Sequence, residues 1–276
     1  MPELPEVETI VRQLRKQLVG QQIKKVKILR PSQWKQNNPK SVEKVLKHKT
    51  IQSINRRAKF IYIDFEDDCQ LVIHLRMSGK LIWSDSDPKI DKYSRTIFYF
   101  TSGSSLQFND TRALGTLVFL LPEKKDNWQT KLGLEPLGED LDFEKLQELI
   151  QKSKLDMKSF LLDQSKVAGI GNIYAGEILF LAGIHPERKA LTLTEKEIEK
   201  LRNTITLVLQ LAVDKMGTSL GDGASNFRSL YNIEGEFQKM IMVYDREGEQ
   251  CFKCKAPIFR IKQKGRSSYF CGECQQ

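Results

Sequence analysis

The sequence lacks any long apolar run. No uninterrupted hydrophobic stretch in its 276 residues approaches the roughly 20 residues that a membrane helix needs. Its first residues, MPELPEVE, are acidic and have neither the basic start nor the apolar stretch of a signal peptide. Internal repeats and low-complexity tails are also missing. These absences argue against a membrane-bound or secreted protein and predict a cytoplasmic, intracellular location.

Acidic residues are also fewer than basic residues. The chain has 35 Asp and Glu residues against 44 Lys and Arg residues, which gives a net charge of +9. A basic excess favours a polyanionic partner, because lysines and arginines that neutralise phosphates release condensed counterions. Much of the excess lies between Cys251 and Cys274, where Glu273 is the one acidic residue. Such a concentration favours a binding surface over an ordinary solvated face.

Cysteine is rare outside one short segment. Four of the five cysteines form the pattern Cys251-x2-Cys254-x16-Cys271-x2-Cys274. Two CxxC pairs at this separation predict a tetrahedral zinc site, with two local disulfides or a redox dithiol as the alternative. Because all four ligands would be thiolates, we expect one structural zinc ion. Cys69 lies in a strand-like run and is predicted to be a buried apolar residue.

The first half of the chain has the pattern of a helix followed by a sheet. Apolar residues recur at helical spacing from residue 6 to residue 18, and Gly20 follows where a helix would stop. From about residue 21 to residue 121, short alternating or β-branched runs predict an antiparallel sandwich or barrel. The runs are IKKVKIL, FIYIDF, QLVIHL, TIFYF, SLQF and TLVFLL.

The second half has a helical pattern up to the cysteines. Phe143, Leu146, Leu149 and Ile150 form one apolar stripe. A capping box formed by Thr194 and Glu197 precedes a second apolar stripe. The glycine-rich segment MGTSLGDGASNF predicts a mobile loop, and KMIMVY predicts a strand. Between the cysteine pairs, PIFRIKQKGRSSYF predicts a β-hairpin that projects Arg266 from its tip.

The N-terminus offers a reactive group. Removal of Met1 would leave Pro2 with a free secondary amine, and an α-amino group has a reference pKa of about 8, against roughly 10.4 for lysine. Such an amine is substantially unprotonated at neutral pH and can form a Schiff base with an aldehydic sugar carbon. Glu3 would lie beside it as a general acid or base. An MPE start is common, however, so these residues alone do not establish a reaction.

A series of longer motifs makes the assignment more specific. MPELPEVET is followed by RRAKF, HLRMSG, NDTRALG, GIGNIYAGE with AGIHP, and the closing four-cysteine segment. These motifs cover essentially the whole chain, which resembles the formamidopyrimidine-DNA glycosylase family. The opening favours this family over the related endonuclease VIII branch, which usually has glycine at the position of Leu4.

The resemblance implies an α+β multidomain fold. We expect an N-terminal catalytic antiparallel β-sandwich with a leading helix at residues 1–132. A helical helix–two-turn–helix DNA-binding domain would follow at 133–238, and a four-cysteine zinc β-hairpin at 239–276.

The resemblance also implies catalytic roles. Pro2 would displace the damaged base and form a Schiff base at the deoxyribose C1′, and Glu3 would transfer protons. Lys59, in RRAKF, matches the family lysine assigned to β-elimination and phosphate contact. Arg266 matches the arginine assigned to phosphate contact and δ-elimination. A cation held at a phosphate would position the backbone while the amine holds the sugar.

Other positions match the family's DNA-binding residues. Met77 matches the side chain that fills the gap left by an extruded nucleotide, and Arg112 matches the one that faces the orphaned base. Asn172 lies in the element where N–H groups at a helix start can hold a phosphate. Without the resemblance, ordinary structural roles would be preferred for these residues. The predicted DNA-binding positions are His74, Met77, Tyr93, Arg112, Leu114, Lys154, Lys158 and Asn172.

Two positions depart from the family pattern. The usual Asp-x-Arg-Arg-Phe-Gly reads DTRALG at residues 110–115, so Leu114 replaces an aromatic wedge. Tyr93 stands where a DNA-contacting histidine is often found. Both changes concern DNA contacts, so they bear on specificity more than on the chemistry of Pro2.

The sequence therefore predicts a monomeric base-excision-repair enzyme that binds damaged double-stranded DNA. It would be a glycosylase and AP lyase that removes oxidised purines such as 8-oxoguanine and formamidopyrimidines, followed by β,δ-elimination. The loop near residues 217–237 would contact the flipped base. Two alternatives are an endonuclease VIII-like glycosylase for oxidised pyrimidines and a non-catalytic zinc-containing DNA-binding protein. Intact Pro2 and Glu3 argue against the second.

Overall fold

The computed structural model describes residues 2–125, 131–220 and 227–276. The chain divides into two units, of which the first comprises Met1–Thr130 and Lys215–Glu236 and the second Lys131–Asp214 and Phe237–Gln276. None of the helices in the described ranges is long and apolar enough to span a lipid bilayer. The loop predicted to be mobile at residues 216–227 lies partly outside the described residues. The three domain bounds given above stay predictions.

Helix α1 (Leu4–Leu18) opens the first unit, close to its predicted position. Its apolar side chains, among them Val7, Ile10 and Leu14, are fully buried on one face. The chain turns away at Gly20, whose φ of +82° is a conformation that glycine adopts without steric cost. The amphipathic pattern therefore places the N-terminal helix against the core.

Two four-stranded antiparallel sheets follow α1 and enclose one hydrophobic core, as the alternating runs predict. The first sheet has the strand order β1-β6-β7-β5, and the second has the order β2-β3-β4-β8. The strands are β1 (Ile23–Ile28), β2 (Ile51–Arg57), β3 (Phe60–Phe65), β4 (Gln70–His74), β5 (Gly79–Ser84), β6 (Ser94–Phe100), β7 (Ser105–Asp110) and β8 (Thr116–Leu120).

Three elements of this unit are not apparent from the sequence. Strand β2 is obscured because its register shifts next to Ile51, so Ile54 is the next fully buried residue. Strand β5 begins at Gly79, a residue that sequence patterns associate with turns. Helix α2 (Pro39–Leu46) is only two turns long and begins after Asn38, whose side chain caps its first turn.

The second unit is helical up to its C-terminal hairpin, as predicted. The stripe around Leu146 and Ile150 is buried on α3, and the Thr194–Glu197 capping box precedes α6. The helices are α3 (Phe143–Gln151), α4 (Met157–Leu162), α5 (Asn172–Ala182) and α6 (Glu195–Asp214), and the hairpin strands are β9 (Ile258–Gln263) and β10 (Arg266–Cys271).

The segment KMIMVY is not a strand, so this prediction is wrong. It begins in a 3₁₀ turn, Phe237–Met240, and continues as bends. The backbone N–H groups of residues 242–244 donate to the buried carboxyl group of Glu177 in α5, at 2.7–3.1 Å. Burial raises the pKa of Glu177, and these three donors act in the opposite direction. The N–H groups that a sheet would require are therefore used by one side chain.

Candidate active site and metal centre

The N-terminal residues are packed into the first unit. Pro2 is buried, and Glu3 is 3% exposed. Glu3 is the N-cap residue of α1 and forms a capping box with Glu6. Within this box, the N–H of Glu3 donates to the carboxylate of Glu6 at 2.7 Å. The predicted nucleophile, Pro2, therefore directly precedes the capped start of α1. The next residue, Glu3, has a buried carboxyl group.

Glu6 is a residue of this site that the sequence interpretation missed. It is buried, and its second carboxylate oxygen accepts the N–H of Thr218 at 2.7 Å. A Cβ atom at Gly217 would lie 2.6 Å from the same oxygen, so a larger residue there would push Glu6 away. Glu6 thereby ties the start of α1 to the segment that begins at Lys215. The three-residue spacing from Glu3 to Glu6 is the sequence signal that reveals it.

Lys59 and His74 lie at the same end of the neighbouring strands β3 and β4 in the second sheet. Lys59 follows Ala58 in the two-residue turn between β2 and β3, and it is only 6% exposed. His74 is the last residue of β4 and pairs with Phe60, whose ring meets the imidazole edge-on with centroids 4.4 Å apart. The charge of Lys59 helps to lower the pKa of His74. The structure therefore brings these two predicted residues together.

His74 is a neutral hydrogen-bond donor at physiological pH. Burial, followed by the charges of Arg76 and Lys59, lowers its pKa from 6.5 to about 3. Its Nδ1 accepts the N–H of Arg76 at 2.9 Å, which places the proton of the neutral ring on Nε2. An Nε2–H group suits a phosphate oxygen without adding a charge to the site.

The low pKa of His74 predicts acid sensitivity of the fold. The unfolded imidazole takes up a proton below pH 6.5 and the folded one only near pH 3. The stability that neutral His74 contributes is thus complete above pH 6.5 and lost as pH falls toward 3. Between pH 7 and pH 5 we expect this residue to lower the free energy of unfolding by about 2 kcal/mol. Denaturant titrations should show a shallower pH dependence for His74→Gln. The control variant His48→Asn, at an exposed histidine, should keep the pH dependence of the parent. A His74→Gln protein with the parental pH dependence would contradict the lowered pKa of His74.

Two loops of the first unit carry the residues predicted to fill the gap that an extruded nucleotide leaves in the DNA. Met77, between β4 and β5, is 43% exposed, and Leu114, between β7 and β8, is 46% exposed. Nη1 of Arg112 donates to the Met77 sulfur at 3.1 Å, so the loop tips touch. Tyr93 is half-buried near them, and its carbonyl accepts the N–H of Asp110.

The remaining predicted DNA contacts lie in the second unit. Lys154 is exposed, whereas Lys158, in α4, is 2% exposed. Asn172 is the first residue of α5, and its Nδ2 donates to the carbonyl of Ser267 in β10 at 3.2 Å. Its Oδ1 is buried and has no hydrogen-bond partner among the described residues. The N-terminus of α5, where backbone dipoles attract anions, therefore meets the hairpin.

The hairpin presents Arg266 beside its turn, as the sequence predicts. Lys264 and Gly265 form a two-residue turn with φ values of 47° and 81°, the conformation that matches strand twist. Arg266 follows as the exposed first residue of β10. A cavity of about 330 Å³ at this end is lined by Lys158, Lys264 and Arg266 together with Asp163, and Lys264 lies 3.4 Å from the carboxylate of Asp156. This grouping of three cations in one unit suits a phosphate.

The four clustered cysteines form a group with the dimensions of a metal site. Their Sγ atoms all lie within 4.8 Å of one another, and all four are free thiols. The Cys251–Cys274 and Cys254–Cys271 sulfurs are 3.9 Å and 3.4 Å apart. A tetrahedral ion with bonds of about 2.3 Å separates its sulfurs by about 3.8 Å, whereas a disulfide needs about 2.05 Å. The cluster is thus positioned to hold one metal ion. Cys69 is buried, as predicted.

Comparison with known proteins accounts for this combination of elements. A profile of the formamidopyrimidine-DNA glycosylase N-terminal domain matches residues 1–117, and a profile of that family's H2TH domain matches residues 132–222. The chain belongs to the formamidopyrimidine-DNA glycosylase family. It is therefore an enzyme of base excision repair, which confirms the predicted family and enzyme class.

Curated members of the family match over the full length. The formamidopyrimidine-DNA glycosylase of Rickettsia africae is 38% identical over 276 residues, which cover 100% of this chain and 99% of that protein. The one of Brevibacillus brevis is 39% identical over 283 residues, with the same coverage. The resemblance therefore includes the N-terminus and the cysteine segment as well as the central domains.

Solved structures of family members show the same fold. The Lactococcus lactis Fpg in complex with DNA that contains an abasic site superposes with a TM-score of 0.91, at 37% identity and 99% coverage of both chains. A mutant of that protein in complex with Fapy-dG DNA gives 0.92, at 37% identity and full coverage. The predicted fold class and the predicted DNA partner are confirmed.

Proposed function

We propose that this family member excises oxidised purines, 8-oxoguanine and formamidopyrimidines, from duplex DNA and then cleaves the strand as an AP lyase. The observation that carries this proposal is the buried Pro2–Glu3 pair at the capped start of α1. An N-terminal secondary amine is reactive at neutral pH, and the capping box holds it beside a carboxyl group. A protein that only binds DNA has no need of this arrangement.

The chemistry assigned to these residues is nucleophilic displacement. After Met1 is removed, the nitrogen of Pro2 attacks C1′ of the damaged nucleotide while the glycosidic bond breaks and the base leaves with a proton. Glu3 transfers protons as the sugar ring opens and the Pro2 nitrogen forms an iminium ion with C1′. Loss of a C2′ proton then expels the 3′ phosphate, and a second elimination expels the 5′ phosphate. We assign phosphate contact during these steps to Lys59 and Arg266.

The remaining predicted positions are assigned to DNA binding. In the first unit, these are His74 as a neutral phosphate donor, Tyr93 as a flanking contact, and the tips of the two loops. In the second unit, Lys154, Lys158 and Asn172 would contact the backbone near the start of α5. We assign a structural Zn²⁺ ion to the four-cysteine cluster, because tetrahedral thiolate sites of this size suit it. We also propose that the enzyme acts as a monomer inside the cell, in the cytoplasm.

A second substrate class has specific support. A complex of the Lactococcus lactis Fpg with DNA that contains an oxidised pyrimidine superposes on this chain with a TM-score of 0.91, at 36% identity. Activity on oxidised pyrimidines is therefore our second candidate for this chain. Duplexes with an oxidised pyrimidine belong in every assay beside 8-oxoguanine.

Covalent trapping tests the proposed nucleophile. Borohydride reduces an iminium ion to a stable amine, so protein incubated with an 8-oxoguanine duplex and borohydride should become covalently linked to DNA. Peptide mapping should locate the adduct at Pro2 after loss of Met1. An adduct found only on an internal lysine, or strand cleavage without any adduct, would refute the mechanism.

A further inference from the structure

Asp110 is a buried carboxylate that has no part in the proposed chemistry. It is the last residue of β7 and only 1% exposed. Its Oδ1 accepts the Ser78 hydroxyl and, at 3.2 Å, the N–H of Arg112. Its Oδ2 accepts the N–H of Gly115 at 2.7 Å and the Gln33 amide at 2.9 Å. One side chain therefore accepts hydrogen bonds from both loops that carry the predicted gap-filling residues.

The backbone of each loop is bent sharply around this anchor. Arg76 in the first loop and Ala113 in the second have φ values of 54° and 52°, in the left-handed region that non-glycine residues adopt at some cost. A cluster of hydrogen bonds at the base of the loops stabilises such turns. Ser78 also accepts the N–H of Arg112 at 3.0 Å, so the loops are joined directly as well as through Asp110.

Close packing leaves the base of the loops little room to move. A Cβ atom at Gly115 would lie 2.5 Å from the Phe108 ring and 3.1 Å from Oδ2 of Asp110. A Cβ atom at Gly79 would lie 2.5 Å from a backbone carbonyl. The Gln33 amide, which also donates to the Gly115 carbonyl at 2.9 Å, closes the remaining side. A rigid, buried base thus supports exposed tips.

We propose that Asp110 is a positioning residue that holds the Met77 loop and the Arg112–Leu114 loop in the shape needed to fill the DNA gap. The inference rests on the proposed function, since it takes the loop tips as the elements that enter the helix. A loop ordered before binding does not lose conformational freedom on binding. It also keeps the donors of Arg112 at a fixed position relative to Met77, which discrimination between opposite bases requires.

Asp110→Asn is the sharpest variant, because it keeps the side-chain volume and replaces one acceptor oxygen with an amide donor. Two of the hydrogen bonds at the loop base then lose their acceptor. We expect excision from an 8-oxoguanine duplex to slow by about tenfold or more, with weaker discrimination among opposite bases. Cleavage of a preformed abasic site should slow much less, because no base has to be extruded. Ser78→Ala, which removes only the hydroxyl link, should have the same effects in milder form.

Thr96→Ala provides the matched control. It removes a buried hydrogen bond from the same sheet, that from Nε1 of Trp34 at 3.0 Å, without touching either loop. If Thr96→Ala lowers thermal stability as much as Asp110→Asn does, any activity that it loses should be lost equally on the 8-oxoguanine duplex and on the preformed abasic site. A loss in Asp110→Asn and Ser78→Ala that is equal on both substrates, with discrimination among opposite bases intact, would overturn the proposal.

Hydrogen exchange separates this inference from the proposed function. Without DNA, the amides of Arg112 and Gly115 should exchange faster in Ser78→Ala or Asp110→Asn than in the parent, while Thr96→Ala should leave them unchanged. Unchanged exchange in both loop variants would refute the positioning role even if the parent excises 8-oxoguanine. A parent that excises no oxidised base would instead refute the proposed function.

Discussion

Glu3→Gln is expected to slow base excision by about 10²- to 10⁴-fold, the usual contribution of a positioned proton-transfer group. The amide keeps the shape of the side chain but cannot exchange a proton with the sugar or the leaving base. Glu3 is 3% exposed, so bulk water has little access to replace it. Single-turnover kinetics on an 8-oxoguanine duplex measures the effect directly.

The matched control for this variant is Glu8→Gln. Glu8 lies in the same helix, but its carboxylate is held in ion pairs with the exposed Arg12 and the largely buried Arg56. We expect it to retain nearly parental excision. On a preformed abasic site, where the sugar opens to an aldehyde spontaneously, Glu3→Gln should retain more activity than on the lesion. A Glu3→Gln protein that excises at the parental rate would show that Glu3 only caps α1.

Cys271→Ser is expected to reduce metal affinity by more than about 100-fold. Loss of a residue that only hydrogen-bonds to a metal ligand already costs about 10- to 100-fold, and loss of a ligand itself should cost more. Cys271 belongs to a small apolar cluster with Phe180, Ile258 and Tyr269. Loss of the ion should therefore loosen the hairpin that presents Arg266 and weaken DNA binding. Zinc content by mass spectrometry and DNA affinity by fluorescence anisotropy check both effects.

Cys69→Ser is the control for the loss of a thiol. Cys69 is buried immediately before β4, in the core of the sandwich. The Cys69→Ser variant should lower the stability of the first unit without changing the zinc content. Because the sandwich core shares no residue with the Cys271 cluster, Cys271→Ser should keep the thermal transition of the first unit. Parental zinc content together with parental DNA affinity in Cys271→Ser would contradict the proposed metal centre.

The sequence predicts those features whose signals are local. Helix α1, the β-hairpin at Lys264–Gly265 and the four-cysteine cluster each depend on residues close along the chain, and the structure contains all three. Strand β2 was missed because a register shift hides its alternation, and KMIMVY was misassigned because Glu177 takes its N–H groups. The first failure comes from an irregular pairing of β2 with β3, and the second from a contact between residues 66 positions apart.

The predicted site shows the same division. Motif resemblance identifies Met77 and Arg112, but the carboxylate that joins their loops is 33 residues from one and two from the other, and only the fold brings them together. The local capping-box spacing could have revealed Glu6, but its link to Thr218, 212 residues away, could not be read from the sequence. Motif resemblance assigns predicted roles to Met77 and Arg112, whereas the roles of Glu6 and Asp110 follow from their hydrogen-bond partners.

The contact between Glu6 and Thr218 has a consequence for synthesis of the protein. Translation produces α1 first, but the segment Lys215–Glu236 that completes its unit is made only after the whole α3–α6 region. That segment supplies the N–H of Thr218 to Glu6 and the N–H of Leu230 to Gln13. While the chain is still on the ribosome, the surroundings of the N-terminal proline are therefore incomplete. The N-terminal residues are thus made first but gain the partners Thr218 and Leu230 only after more than 200 further residues have been synthesised.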